Sequence, residues 1–194
     1  MNERIPFQVT RGAERYEALG RLPLCLLLDD LRSMYNVGAI FRTADAAAVS
    51  RILLTGYTAL PTQNGVAKTG LGAEQTVAWE AVADPIAKLA SLREQGYEIA
   101  ALETATHAVD LFVWQPRFPV CLLLGNEVDG LRPEIQATAD LCVRIPMLGT
   151  KHSLNVASAA SVVMYELLRK YRNLRERAEK RWGDEEHLVS TAAE

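Results

Sequence analysis

No apolar run in this 194-residue sequence approaches the roughly 20 residues that a membrane helix needs. The N-terminus, "MNERIPFQVTRGAERYEALG", has no apolar signal-peptide core. A cytoplasmic protein without a membrane partner is therefore expected. Cysteine is scarce: Cys25, Cys121 and Cys142 each lie inside an apolar, strand-like run. An odd count without ligand spacing argues against a disulfide framework and a zinc site, so all three are expected to be buried thiols. His107, His152 and His187 are far apart and form no ligand pair, so no metal is expected. There is no G-x-x-x-x-G-K-[ST] phosphate loop and no G-x-S-x-G elbow, and the one G-x-G, from Gly70 to Gly72, follows no strand directly. These absences exclude the common nucleotide-cofactor enzymes.

An excess of basic charge is missing too. The formal net charge is -3, an awkward value for a phosphate-binding protein, although distribution matters more than the total. Arg4, Arg11, Arg15 and Arg21 cluster near the N-terminus, and Arg169, Lys170, Arg172, Arg175, Arg177, Lys180 and Arg181 crowd the end of the last helix. Two readings stay open for both clusters: a solvated helix face or a grip on phosphate.

What is present suits one globular domain, with 49% apolar and 23% charged residues. The expected organisation is a short N-terminal extension over 1–20, a catalytic domain over 21–172 and a charged tail over 173–194. "LCLLL" at 24–28 reads as a strand covered on both faces. In the segment 36–49 that follows, Val37, Ile40, Phe41, Ala44 and Ala48 recur at helical spacing. Residues 51–56, 97–102, 119–125 and 140–146 supply further strands. The segment 84–96 is a helix with Asp84 as N-cap, Pro85 at its first position and Gly96 at its stop. A long last helix begins at about Ser153. Residues 56–76, polar and Gly-rich, read as a long surface loop. The alternation predicts an α/β domain with a mostly parallel sheet and helices on both faces, binding its ligand at the carboxyl ends of the strands.

Three segments after predicted strands carry candidate chemistry. In "NVGAIFRTA", Asn36 opens a helix and Gly38 lies beneath Arg42 on one helical stripe, leaving space for another backbone or a substrate; a plain capped helix with a surface Arg is the alternative. "LLLGNEVDGL" makes a tight turn that sets Glu127 at a strand's carboxyl end, where it either belongs to a simple loop or orients an Arg. In "IPMLGTKHSLNVASAASVVM", Ser153 and Asn155 stand where free helix N–H groups favour an electron-rich ligand. Packing explains the alanines of that segment and does not require Asn155.

In this order the three segments resemble the signature motifs of the SpoU, or TrmH-like, branch of the SPOUT RNA methyltransferases, over roughly residues 22 to 170. The resemblance implies a parallel-sheet fold with a deep C-terminal trefoil knot, an exception to unknotted topology. It implies S-adenosyl-L-methionine as cofactor, held by Leu102, Gly125, Ile145, Met147, Ser153 and Leu154. It implies transfer of a methyl group to a ribose 2'-oxygen of RNA, with Arg42, Asn36, Glu127, Ser153 and Asn155 as catalytic residues. Arg42 is then either the base or, since a guanidinium stays protonated, a phosphate clamp and stabiliser of the developing alkoxide. Glu127 orients Arg42 or Asn36, and Asn36 and Asn155 position the ribose. Arg11, Arg15 and Lys68 would meet RNA, and a homodimer is implied. The chain lacks the extra N-terminal RNA-binding domain, of about a hundred residues, that many rRNA-directed relatives carry, which favours tRNA over rRNA. An RNA-base methyltransferase and an inactive RNA-binding relative remain the alternatives.

Overall fold

A computed structural model describes residues 20–191, with side chains described as far as Arg175. Seven strands, β1 (Leu22–Asp29), β2 (Val49–Thr55), β3 (Trp79–Val82), β4 (Glu98–Leu102), β5 (Val109–Asp110), β6 (Val120–Leu124) and β7 (Leu141–Arg144), form one sheet in the order β3-β2-β1-β6-β4-β7-β5. Every pairing is parallel. Parallel strands need crossovers, and six helices are described: α1 (Met34–Ala46), α2 (Asn64–Gly70), α3 (Ala73–Thr76), α4 (Pro85–Glu94), α5 (Pro133–Gln136) and α6 (Val156–Thr191).

The unbroken apolar run of β1 follows from its position. Leu24, Leu26 and Leu28 join one core with Val37, Ile40 and Phe41 of α1 and Ala160, Val163 and Leu167 of α6. Cys25 and Leu27 point the other way, into a second core with Leu89 and Leu92 of α4. Side chains alternate across a strand, so a central strand buried on both faces is apolar along its middle, and its one charged residue, Asp29, stands at its carboxyl end. The α/β class and parallel sheet expected from the alternation are thus observed, with helices on both faces. The expected α4 termini are also observed: the Asp84 side chain accepts from Ala87 N at 3.0 Å.

Several expectations need correction. Ala48 lies beyond α1 with φ 53° rather than on its buried stripe. Cys142 is half-buried, unlike Cys25 and Cys121, because β7 has only the two-residue β5 on its outer side. The last helix starts at Val156, after Ser153 and Leu154. Lys170 belongs to neither a solvated face nor a phosphate grip: it is 8% exposed and donates to the carbonyls of Leu111, at 2.6 Å, and Trp114. It ties α6 to the turn after β5.

The segment 56–76 holds α2 and α3 rather than an extended loop. Gly38 explains why that segment folds onto α1. A Cβ at Gly38 would stand 2.1 Å from Thr69 Oγ1 and 2.3 Å from the Val66 carbonyl oxygen, so the space beneath Arg42 is filled by the backbone of α2. Gly38→Ala is therefore expected to destabilise the fold by about 1–3 kcal/mol, since the clash outweighs the helix propensity gain of about 1 kcal/mol. Chemical denaturation reads the sign: a higher midpoint would show that α2 is free to move away.

Candidate active site

The site is assembled where β1, β4, β6 and β7 end. The turn after β6 is closed by a two-way backbone pair, Asn126 N to Gly130 O at 2.9 Å and Gly130 N to Asn126 O at 3.0 Å. Asn126 is 6% exposed and fully committed. Its Nδ2 donates to the Asp30 carbonyl at 2.7 Å and to Tyr57 Oη at 2.6 Å, while its Oδ1 accepts from Val128 N and Asp129 N. This anchoring projects Glu127 towards the N-terminus of α1.

Glu127 there meets Asn36, whose Nδ2 donates to Oε1 at 2.7 Å, and the backbone N–H of Arg32, which donates to Oε2 at 3.2 Å. Asn36 in turn accepts at Oδ1 from Asn155 Nδ2 at 3.1 Å. Asn155 Oδ1 caps α6, accepting from Ala157 N at 2.9 Å and Ser158 N at 3.3 Å. One continuous chain, Glu127–Asn36–Asn155–α6, thus joins three distant sequence segments. Of the two partners expected for Glu127, the structure gives Asn36. The capping also gives Asn155 a structural reason to be present.

Partial burial alone would raise the Glu127 carboxyl, but the Asn36 side chain and nearby backbone N–H groups outweigh it and hold it below its ordinary value of 4.5. Glu127 is therefore ionised at neutral pH and can only accept hydrogen bonds. A depressed carboxylate stabilises the fold above its unfolded value and loses that contribution as pH falls through the folded value. The stability difference between wild type and Glu127→Gln should then be constant from pH 8 to 5 and shrink below about 4.5. Denaturation at a series of pH values tests this; a difference that grows on acidification would contradict it.

Beside this chain lies a cavity of about 430 Å³. Its walls come from residues 102–104 after β4, 124–130 around the β6 turn, and 145–159 between β7 and the first turns of α6. Leu102, Gly125, Ile145, Met147, Ser153 and Leu154 all line it, as does Glu127. Asn36, Arg42 and Asn155 do not. Arg42 is exposed on α1 and makes no hydrogen bond or ion pair among the described residues. Six residues beyond Asn36, it lies about 9 Å further along the helix axis. Lys68 is exposed on α2. Arg11 and Arg15 lie outside the described residues. Glu103, Asp129 and His152 also line the cavity and were not singled out in the sequence; their only signal is adjacency to the motif residues. Among the described residues, no group of three or more His, Cys, Asp and Glu side chains is placed to hold a metal ion. No helix among them is long and apolar enough to cross a membrane.

A cavity at the carboxyl ends of parallel strands, lined by an ionised carboxylate whose hydrogen-bond chain runs on through two amides, fits a small-molecule site of the α/β type. Its family is established by sequence: the model of the SpoU rRNA Methylase family matches residues 23–165, and the chain belongs to that family. It is 33% identical over 148 residues to the 23S rRNA (guanosine-2'-O-)-methyltransferase RlmB of Vibrio parahaemolyticus, covering 76% of this chain and 59% of that protein. Among solved structures, the TrmH/SpoU tRNA modifying enzyme of A. aeolicus is similar with a TM-score of 0.73 and 26% identity, over 90% of this chain and 97% of that one. The AdoMet-bound rRNA methyltransferase of Sinorhizobium meliloti gives a TM-score of 0.69 at 30% identity, over 75% of this chain and 56% of that one. The chain spans about three fifths of the length of the first curated relatives it matches.

Proposed function

We propose that this chain is an S-adenosylmethionine-dependent methyltransferase acting on a ribose 2'-oxygen of RNA, with tRNA as the substrate class. The observation that carries the reading is the Glu127–Asn36–Asn155 chain beside the cavity. The guanosine-2'-O activity in the name of the Vibrio relative supports ribose over base. The match over nearly the whole tRNA modifying enzyme supports tRNA.

The cavity suits S-adenosylmethionine. Its volume falls within the range of about 300–1,000 Å³ typical of small-molecule sites. Gly125 and Gly130 expose backbone on one wall, and Leu102, Ile145 and Leu154 give apolar contact on the others. When bound, the cofactor supplies an electrophilic methyl group. The protein's part is to align a ribose hydroxyl, a poor nucleophile, with that methyl and to stabilise charge as the hydroxyl loses its proton. Glu127 fixes the Asn36 amide, and Asn36 and Asn155 orient the ribose. Ser153 lies on the cavity wall, where it would face the bound cofactor. Arg42 serves as clamp and stabiliser, while Lys68 extends the cationic surface towards RNA, with Arg11 and Arg15 of the N-terminal extension.

The proposal includes a trefoil knot formed by the chain after β7. Its support is that 145–159 shares one cavity with the loops after β4 and β6. It also includes a homodimer packed through α1 and α6, and a cytoplasmic location. The support for the dimer is that Met34, Tyr35, Val162 and Tyr165 are exposed on these two helices; exposed apolar side chains gain by association. Packing of that kind would bring a second copy's Arg42 towards the reacting hydroxyl; among the described residues the cavity lining holds no arginine. Sedimentation tests the dimer, a monomer at micromolar concentration contradicting it. Incubation with methyl-labelled cofactor and unmodified tRNA or rRNA tests the substrate: label in tRNA supports the assignment, and label confined to rRNA overturns it.

A further inference from the structure

Asp29 is a carboxylate with 0% exposure at the carboxyl end of β1, and the chemistry above does not use it. A buried carboxylate is costly unless its oxygens are fully paired. All its described partners but one backbone group belong to a single side chain. Arg132 donates from Nε at 2.9 Å and Nη2 at 2.6 Å to Oδ1, and Arg132 N donates to Oδ2 at 3.1 Å. Nη2 also reaches Thr55 Oγ1 at the end of β2, at 3.2 Å, and Nε lies 3.4 Å from Asp30 Oδ2. Arg132 therefore rivets the ends of β1 and β2 to the residue directly after the turn 125–131.

That turn is held at its base by Asn126, which donates to the Asp30 carbonyl and to Tyr57, by Glu103, which accepts from Leu131 N at 3.2 Å, and at two further points. Glu127 is fastened to α1 by Asn36 and the Arg32 amide, and the far end is fastened by Arg132. Between them, Val128, Asp129 and Gly130 line the cavity. We propose that Arg132, paired with Asp29, is a positioning residue for cofactor binding, holding the distal half of this turn as a cavity wall. The proposal rests on the cofactor reading above. It separates two functions within one turn: the Glu127 end serves the reacting hydroxyl and the Arg132 end serves the cofactor. A lysine in place of Arg132 keeps the charge but cannot supply the forked contact.

The experiment compares wild type with Arg132→Lys and Arg132→Gln, the lysine variant retaining a counter-charge for Asp29 should the glutamine variant fail to fold. KM for S-adenosylmethionine is expected to rise about tenfold in Arg132→Lys, the equivalent of one lost charge-assisted hydrogen bond, with kcat at saturating cofactor little changed. Amide hydrogen exchange in the cofactor-free protein should quicken at Val128–Leu131 and stay slow at Leu26–Leu28. An unchanged KM with a fall in thermal stability alone would overturn the proposal, as would unaltered exchange in the turn. Should wild type bind no S-adenosylmethionine, the cofactor reading and with it the functional half of this proposal fall, while exchange still reports whether Arg132 holds the turn.

Discussion

Arg42→Ala is expected to lower kcat for methyl transfer by about 10²–10³-fold, the usual cost of removing one preorganised stabiliser of developing negative charge, and to leave S-adenosylmethionine binding unchanged. The separation follows from geometry. Arg42 does not line its own chain's cavity, so its loss leaves the described cavity walls intact. It is exposed and uncommitted among the described residues, so its loss removes no internal contact and should scarcely affect stability. A guanidinium cannot act as a base near neutral pH, so its contribution is electrostatic. Arg42→Lys should accordingly retain part of the activity, since the charge survives without the fork. Single-turnover kinetics with calorimetry checks both halves. Near-normal turnover in Arg42→Ala would remove Arg42 from the mechanism, and lost cofactor affinity would place it in the cavity.

Gly125→Ala is expected to act instead on the cofactor, weakening its binding. A Cβ at Gly125 would stand 2.3 Å from both the Gly130 carbonyl carbon and Leu131 N. These are backbone atoms, so no side chain can swing away. The turn must open, breaking the paired Asn126 and Gly130 hydrogen bonds that shape the cavity wall. Affinity for S-adenosylmethionine should fall at least tenfold, the equivalent of about 1.4 kcal/mol. Leu124 before it and Leu131 opposite it belong to the two sheet cores, so circular dichroism has to show the variant folded before its affinity is read. Wild-type affinity in Gly125→Ala would show that the turn between β6 and α5 is not the cofactor's wall.

The two variants also explain which parts of this molecule were legible in its sequence. Central strands such as β1 and β6 announce themselves because burial on both faces leaves a continuous apolar run, and α4 because Asp84, Pro85 and Gly96 mark its ends locally. The α2–α3 segment was misread because its helices depend on a contact with Gly38 some thirty residues away, which no local pattern records. Asn155 was read as a residue that packing does not require, and the structure makes it both the cap of α6 and the partner of Asn36. Arg42 and Gly38 share a stripe as the periodicity indicates, yet the vacancy serves a backbone rather than a ligand. Asp29 gave no signal at all: its meaning depends on Arg132, 103 positions later. Motif resemblance supplied the candidate residues. The division of labour within the site came from three-dimensional contacts.

The most direct test of ribose methylation is alkaline hydrolysis of RNA labelled by the wild-type protein with methyl-labelled S-adenosylmethionine. Alkali cleaves RNA through the free 2'-hydroxyl, so a methylated 2'-oxygen protects its own phosphodiester. Label recovered in alkali-resistant dinucleotides is the expected result. Label recovered in mononucleotides would place the methyl group on a base and contradict the assignment.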